Sequence, residues 1–155
     1  SNAISASALM DLVSASWFDT LAAQAARRRL PLLFTLNVDG RHALTPSDSD
    51  DPAVFAAFAR DQRRDKGFGP ALGPEAPRHM LERLIAFGAR VSLAPSDWQV
   101  SGDERAMLTA FVDGVAEATG RTETAATGWH KRRQTLIADG ALSLSVGHQD
   151  LLALW

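Results

Sequence analysis

Short apolar runs of strand character alternate along this chain with longer segments of helical period, and that alternation restricts it to an α/β sheet with crossover connections. Residues 32–38 (Leu-Leu-Phe-Thr-Leu-Asn-Val) read as a buried strand. Val91 and Leu93 alternate in a shorter one that stops at Pro95. Leu142, Leu144 and Val146 alternate in a third, and strand character continues over 151–155. The opening run, residues 4–13, reads as the end of a strand running into a loop. That gives about four strands.

The segments between them carry helix signals. Ser14 is placed to cap a helix with Trp17, Phe18, Leu21, Ala22 and Ala25 on one face, and Pro31 ends it. Asp39-Gly40 is a hairpin signal, with 41–44 as the return strand. Asp48, Asp50 and Asp51 form an acidic loop. Asp51-Pro52 is a cap and first-turn pair for a helix ending near Gly67. A Gly/Pro loop over 67–73 leads to a helix over 74–87 with Leu81, Leu84 and Ile85 inward. Ser101 and Glu104 make a capping box before Met107, Leu108, Phe111, Val112 and Val115. A further helix spans about 123–139, burying Trp129, Leu136 and Ile137. Gly147-His148 suggests a bulge.

Composition narrows the functional classes. Without cysteine there are no disulfides, thiolate metal sites or cysteine nucleophile, which fits a cytoplasmic protein. The net charge of -2 gives no pull toward nucleic acid or acidic membranes. No apolar run reaches the roughly 18 residues of a membrane span. His42, His79, His130 and His148 fit no zinc spacing, so no metal site is expected. Ser1, Asn2 and Ala3 read as a scar of tag removal. The native segment, 4–155, reads as a single domain that opens inside an apolar run, as the interior of a longer chain would.

Residues 5–13 (Ser-Ala-Ser-Ala-Leu-Met-Asp-Leu-Val) resemble the end of the fourth strand and its loop in class I S-adenosylmethionine-dependent methyltransferases. Residues 31–38 resemble the fifth strand, 74–94 the following helix and sixth strand, and 142–154 the long final strand. The stretches 65–73 and 146–152 resemble a bacterial branch of that family. The resemblance implies the C-terminal half of a Rossmann-like sheet, with helices on both faces. The last strand would be antiparallel and lie between the fifth and sixth. The family's first strand, Gly-rich loop and ribose-binding acid have no counterpart in this chain. The parent would transfer a methyl group from S-adenosyl-L-methionine to a small organic acceptor, while this fragment alone would be inactive and would not bind the cofactor.

In-line displacement at a sulfonium needs alignment, exclusion of water and, for a neutral nucleophile, a base within reach. By the resemblance, Ser7, Ala8 and Asp11 line the methionine side. His148 and Asp150, two apart on a strand, are the acid/base candidates, a relation that a bulge at Gly147 would break. Arg64, Lys66 and Phe68, beside the Gly67–Gly73 loop, and Trp98 are the substrate-side candidates, with that loop as a lid. Two rivals stand beside this reading: an interaction domain without chemistry, and a nucleic-acid methyltransferase using the basic run Trp129-His130-Lys131-Arg132-Arg133. That run is short in an acidic chain, which disfavours the second. Loss of the first strand would bare the edge at residues 4–9, which is expected to be disordered or to pair with a second copy.

Overall fold

The computed structural model describes residues 2–120 and 126–155. Its elements are β1 (Ile4–Ser7), α1 (Ala15–Arg28), β2 (Leu32–Thr45), α2 (Asp51–Gln62), α3 (Ala76–Ala86), β3 (Arg90–Pro95), β4 (Trp98–Val100), α4 (Arg105–Gly120), α5 (Ala126–Ala138) and β5 (Ser143–Leu154), with a 3-10 turn at Gly73–Glu75. The expected start of the last helix near residue 123 lies outside the described residues. The chain is α/β, with five strands in one mixed sheet of order β1-β2-β5-β3, and β4 pairs with β5. β1 runs parallel to β2, from Ile4↔Leu32 to Ser7↔Thr35. β5 is antiparallel to β3 and to β4. β4 is the strand the sequence did not announce, because three residues are too few to display a period.

The chain divides into two compact units. The first comprises residues 1–40, 62–97 and 147–155, and the second 41–61 and 98–146. In the first, α1 begins where Ser14 Oγ accepts the Trp17 amide at 3.2 Å. It ends at Arg29, which takes the left-handed conformation (φ 51°) while the amides of Arg29 and Leu30 close onto Ala26 and Ala25. Phe18, Ala22 and Ala25 of α1 and Met80 and Leu84 of α3 share one core with Leu32, Phe34, Leu151 and Ala153. Ile85, expected inward, is 56% exposed. The buried residues of α3 are Ala76, Pro77, Met80 and Leu84, and Ile85, in the helix's last turn, falls outside that stripe.

Two other expectations change. Asp39-Gly40 does not turn a hairpin, because β2 runs on through it to Thr45. Gly40 has φ 83°, and a Cβ there would stand 3.0 Å from Pro74 Cβ, so the glycine serves a left-handed bend at a close approach within the strand. No bulge occurs at Gly147-His148 on the side of β5 that faces β3 and β4. The partners keep one register from Arg90↔Leu154 to Val100↔Leu144. The irregularity lies in β2 instead, where Leu36 has φ 55°. Residues 4–7 are an ordered strand at the end of the sheet, with neither charge nor proline along it.

Helices on both faces are not found within either unit taken singly. In the first, Ser5, Ser7, Leu33, Ser92 and Leu152 alternate with the core residues and stay exposed. In the second, α2, α4 and α5 share a core with Leu44, Val100, Leu144 and Val146, while Ala43, Thr45, Gln99 and Ser143 are exposed.

The second unit is tied by carboxylates. Glu104 Oε2 accepts the Ser101 amide at 2.8 Å, half of the expected capping box. Asp51 opens α2, but the Val54 amide bonds the Asp50 carbonyl, so Asp50 holds the cap position. The Asp51 carboxylate turns instead to α5. It accepts Trp129 Nε1 at 2.7 Å and Arg133 Nη2 at 2.7 and 2.8 Å. Arg133, 1% exposed, also donates to the Pro46 carbonyl. Arg132 grips Asp48 and Asp50. Its hydrogen bond is the largest influence on Asp48, whose pKa is lowered to about 2. Gly114, inside α4, costs about 1 kcal/mol of helix stability relative to alanine.

Removing one partner from a buried ion pair strands the other charge. Asp51→Ala, which abandons Arg133, is expected to destabilise the protein by about 3 kcal/mol, read from urea unfolding of variant and parent.

Candidate functional site

The carboxyl end of β1 leads into the loop that holds most of the expected residues. Ser7 ends the strand, and the Ala8 amide prolongs the ladder onto the Thr35 carbonyl at 3.0 Å. Ala8 has φ 51°, a conformation sparsely used by residues with a Cβ. This kink throws the chain out of the strand and into residues 9–14. Ser7 also lines an open depression of about 390 Å³ with Ser5, Ala6, Leu33 and Thr35.

A second segment is fastened over that loop. The amides of Leu72 and Gly73 donate to the carbonyls of Val13 and Asp11 at 2.8 and 2.9 Å. Ser14 and Ala71 form an antiparallel bridge, and the Ala71 amide donates to the Arg63 carbonyl. A Cβ on Gly69 would meet Ser14 Cβ at 3.2 Å, so this glycine permits the close approach. Asp65 Oδ1 accepts the amides of Gly67 and Gly69 at 2.7 and 3.1 Å, which shapes the turn. The Gly67–Gly73 stretch is therefore bonded to the β1–α1 loop at several points. Phe68 at its tip is 46% exposed and meets Trp17 edge to face at 6.2 Å. Lys66 Nζ donates to the Gln62 carbonyl, and Arg64 is exposed.

The third wall is β5 with the turn after β3. Asp150 Oδ1 accepts the amide of left-handed Leu36 at 2.8 Å and Ser96 Oγ at 2.7 Å. His148 is buried, its amide donates to Asp97 Oδ1, and its carbonyl accepts the Ser96 amide. Asn37, wholly buried, donates from Nδ2 to the carbonyls of Phe34 and Gln149, while its Oδ1 has no partner.

Asp11 links these walls electrostatically. Burial pushes its carboxyl above the ordinary value, while its own amide, the Lys66 ammonium and His148 pull it back. The fold thus brings Asp11, Lys66 and His148 into one electrostatic neighbourhood, with Ser7, Ala8 and Phe68 on the same two segments. A carboxyl perturbed by burial beside a lysine and a histidine is what marks these residues as the candidate site. Trp98 lies on β4 in the other unit, 42% exposed. Asp150, expected to act on a proton, has one carboxylate oxygen engaged by the backbone of β2 and by Ser96. Asn37, Ser96 and Asp97 escaped sequence reasoning. A lone asparagine in the apolar run 32–38 was the one available signal.

Within the basic run Trp129–Arg133, Lys131 and Arg132 are exposed, but most of its polar groups are engaged. Trp129 and Arg133 are buried on Asp51, Arg132 holds Asp48 and Asp50, and His130 Nε2 lies 2.6 Å from Asp113. Among the described residues no helix is long and apolar enough to cross a membrane, and no group of three or more side chains is arranged to hold a metal.

A carboxyl whose pKa is raised by folding loses stability as pH climbs through its titration. Asp11→Asn is therefore expected to stabilise the protein at pH 7. The gain should vanish below the ordinary carboxylate range, where both forms are neutral. Urea unfolding at pH 7 and at pH 3 reads the difference, and an equal effect at both would refute it. No protein-family model and no curated protein matches this chain, so the functional reading rests on the geometry and on the order of the elements.

Proposed function

We propose that the chain is the acceptor-side half of a class I S-adenosylmethionine-dependent methyltransferase domain, whose parent methylates a small organic molecule. One observation carries the reading. The last strand, β5, is inserted between β2 and β3 and runs antiparallel to β3. That is the arrangement the resemblance implies for the family's seventh strand between its fifth and sixth. In this reading β1 is the fourth strand, and residues 8–14 are the loop that meets the methionine end of the donor.

Two further features favour it. The outer edge of β1 has no strand beside it among the described residues, and Ser5, Ser7, Leu33, Ser92 and Leu152 leave part of the alternate sheet face exposed. An unprotected edge and an uncovered face are surfaces that a complete doubly wound domain would bury. The donor-binding half would occupy both. When bound, S-adenosyl-L-methionine supplies the activated methyl group. This chain's residues would align the acceptor and take up its proton, with Asp11 beside Lys66 and His148 as the proton-handling group. Lys66, Arg64 and Phe68 would contact the acceptor.

The open edge and face equally suit a domain that binds a partner without chemistry, and a second copy pairing along β1 would satisfy the edge. Against the nucleic-acid reading, Trp129 and Arg133 of the basic run are buried on Asp51 and Arg132 is paired with Asp48 and Asp50.

Calorimetry separates the readings. The 155-residue chain alone should show no saturable binding of S-adenosyl-L-methionine. The same chain joined to the segment that precedes it in its gene should bind at micromolar concentration. Tight binding by the isolated chain, or none by the extended one, would sink the proposal.

A further inference from the structure

The second unit contains a groove that the reading above does not use. It lies between α2 and α4 and has a volume of about 340 Å³. Phe58 and Phe111 form its aromatic wall, their ring centroids 6.4 Å apart. Asp61 and Glu117 stand on its rim, and Ala110 and Gly114 also line it.

Gly114 is the informative residue. It sits in the interior of a sixteen-residue helix, where glycine weakens the helix relative to alanine. Its backbone is not left-handed, and a Cβ built on it meets nothing within 4 Å. Neither conformation nor packing among the described residues calls for glycine. What its missing side chain leaves is room in the groove. The aromatic wall is itself held in place: His42 stacks on Phe55 at 5.0 Å and lies 5.6 Å from Phe58 and 5.8 Å from Phe111. A fixed aromatic wall over an open glycine is a preformed pocket, within the size range of small-molecule sites.

The chemistry of the lining selects an occupant. Aromatic faces attract cations through the ring quadrupole, and carboxylates attract them by charge. Asp61 and Glu117 also have interactions within the protein, so a ligand cation would share them. The lining named here carries no cationic side chain to welcome an anion. We infer that the α2–α4 groove binds a small organic ammonium ion, its apolar body on Phe58 and Phe111 over Gly114 and its charge between Asp61 and Glu117.

Benzyltrimethylammonium is the probe, with neutral benzyl alcohol and anionic benzenesulfonate as comparisons. Titration into the full chain, followed by amide chemical shifts, should give saturable shifts at residues 58–61 and 110–118. The cation should bind at least fivefold more tightly than either comparison. Gly114→Leu, which fills the groove with a better helix former, should cut affinity at least tenfold without lowering Tm. Asp61→Asn with Glu117→Gln should remove the preference for the cation. Should Gly114→Leu fail to fold, Gly114→Ala, expected to raise Tm, serves with a smaller loss. Shifts elsewhere, equal binding of the neutral probe, undiminished binding by Gly114→Leu, or no shift at millimolar probe would each overturn the inference. So would concentration-dependent broadening of α4 without probe, which would assign the groove to a second copy.

Discussion

A single carboxylate oxygen, Oδ1 of Asp150, organises the first unit. β2 cannot run straight from the core to Gly40, because Leu36 stands in the left-handed region and its amide leaves the ladder direction. An amide buried without an acceptor would cost about 1–3 kcal/mol. Asp150 supplies that acceptor and takes the Ser96 hydroxyl on the same oxygen. The irregular point of β2, the middle of β5 and the turn after β3 are thereby joined at one atom. Asn37, the next residue, completes the joint by bonding the carbonyls of Phe34 and Gln149. Bulge-like irregularities near functional sites re-aim the strand that carries them. Here the result is a His148–Asp150 segment bonded to Leu36, Ser96 and Asp97.

The same joint explains what could be read in the sequence and what could not. The apolar runs at 32–38 and 142–154 announced their strands, since burial leaves a period of two that survives any detail of topology. The Ser14 cap, the stop at Pro31 and the capping-box acid Glu104 were equally legible, being local chemistry. Asp39-Gly40 misled because the dipeptide reports only that the backbone prefers positive φ there. It does not say whether that bend closes a hairpin or passes Pro74 within a strand. Asp51 misled in the same way: an acid before proline suits a helix start, but Arg133 and Trp129, some 80 residues later, recruit its carboxylate. Long-range pairing of polar groups has no period, so neither the Asp150 clamp nor the Asp51 clamp could be seen in advance.

The two units also differ in how they use charge. In the second, buried Arg133 and exposed Arg132 bind three aspartates of the 46–51 segment. The resulting fixed pairs hold α5 to the start of α2. The first leaves Arg27, Arg28 and Arg29 exposed at the end of α1, where positive charge complements the helix dipole. The first unit also contains the carboxyl with the burial-raised pKa, Asp11. A folded protein that tolerates a carboxyl made costly by burial gives up stability at that place.

Among the groups around the loop after β1, their surroundings divide the roles. Asp150 is an acceptor of two protein hydrogen bonds through one oxygen, which joins β2, β5 and the turn after β3. His148 is almost closed to solvent and fixed through its backbone on both sides. Asp11 is different: its main chain is pinned by Gly73, but its carboxyl is only half-buried and feels both Lys66 and His148. A group pinned by its backbone can change protonation without moving the loop that carries it. Burial disfavours its charge and the neighbouring cations favour it, so its proton affinity follows whatever enters and displaces water. A molecule bound there would raise the cost of the Asp11 charge further, and under the proposed function that sensitivity suits a proton-accepting carboxylate.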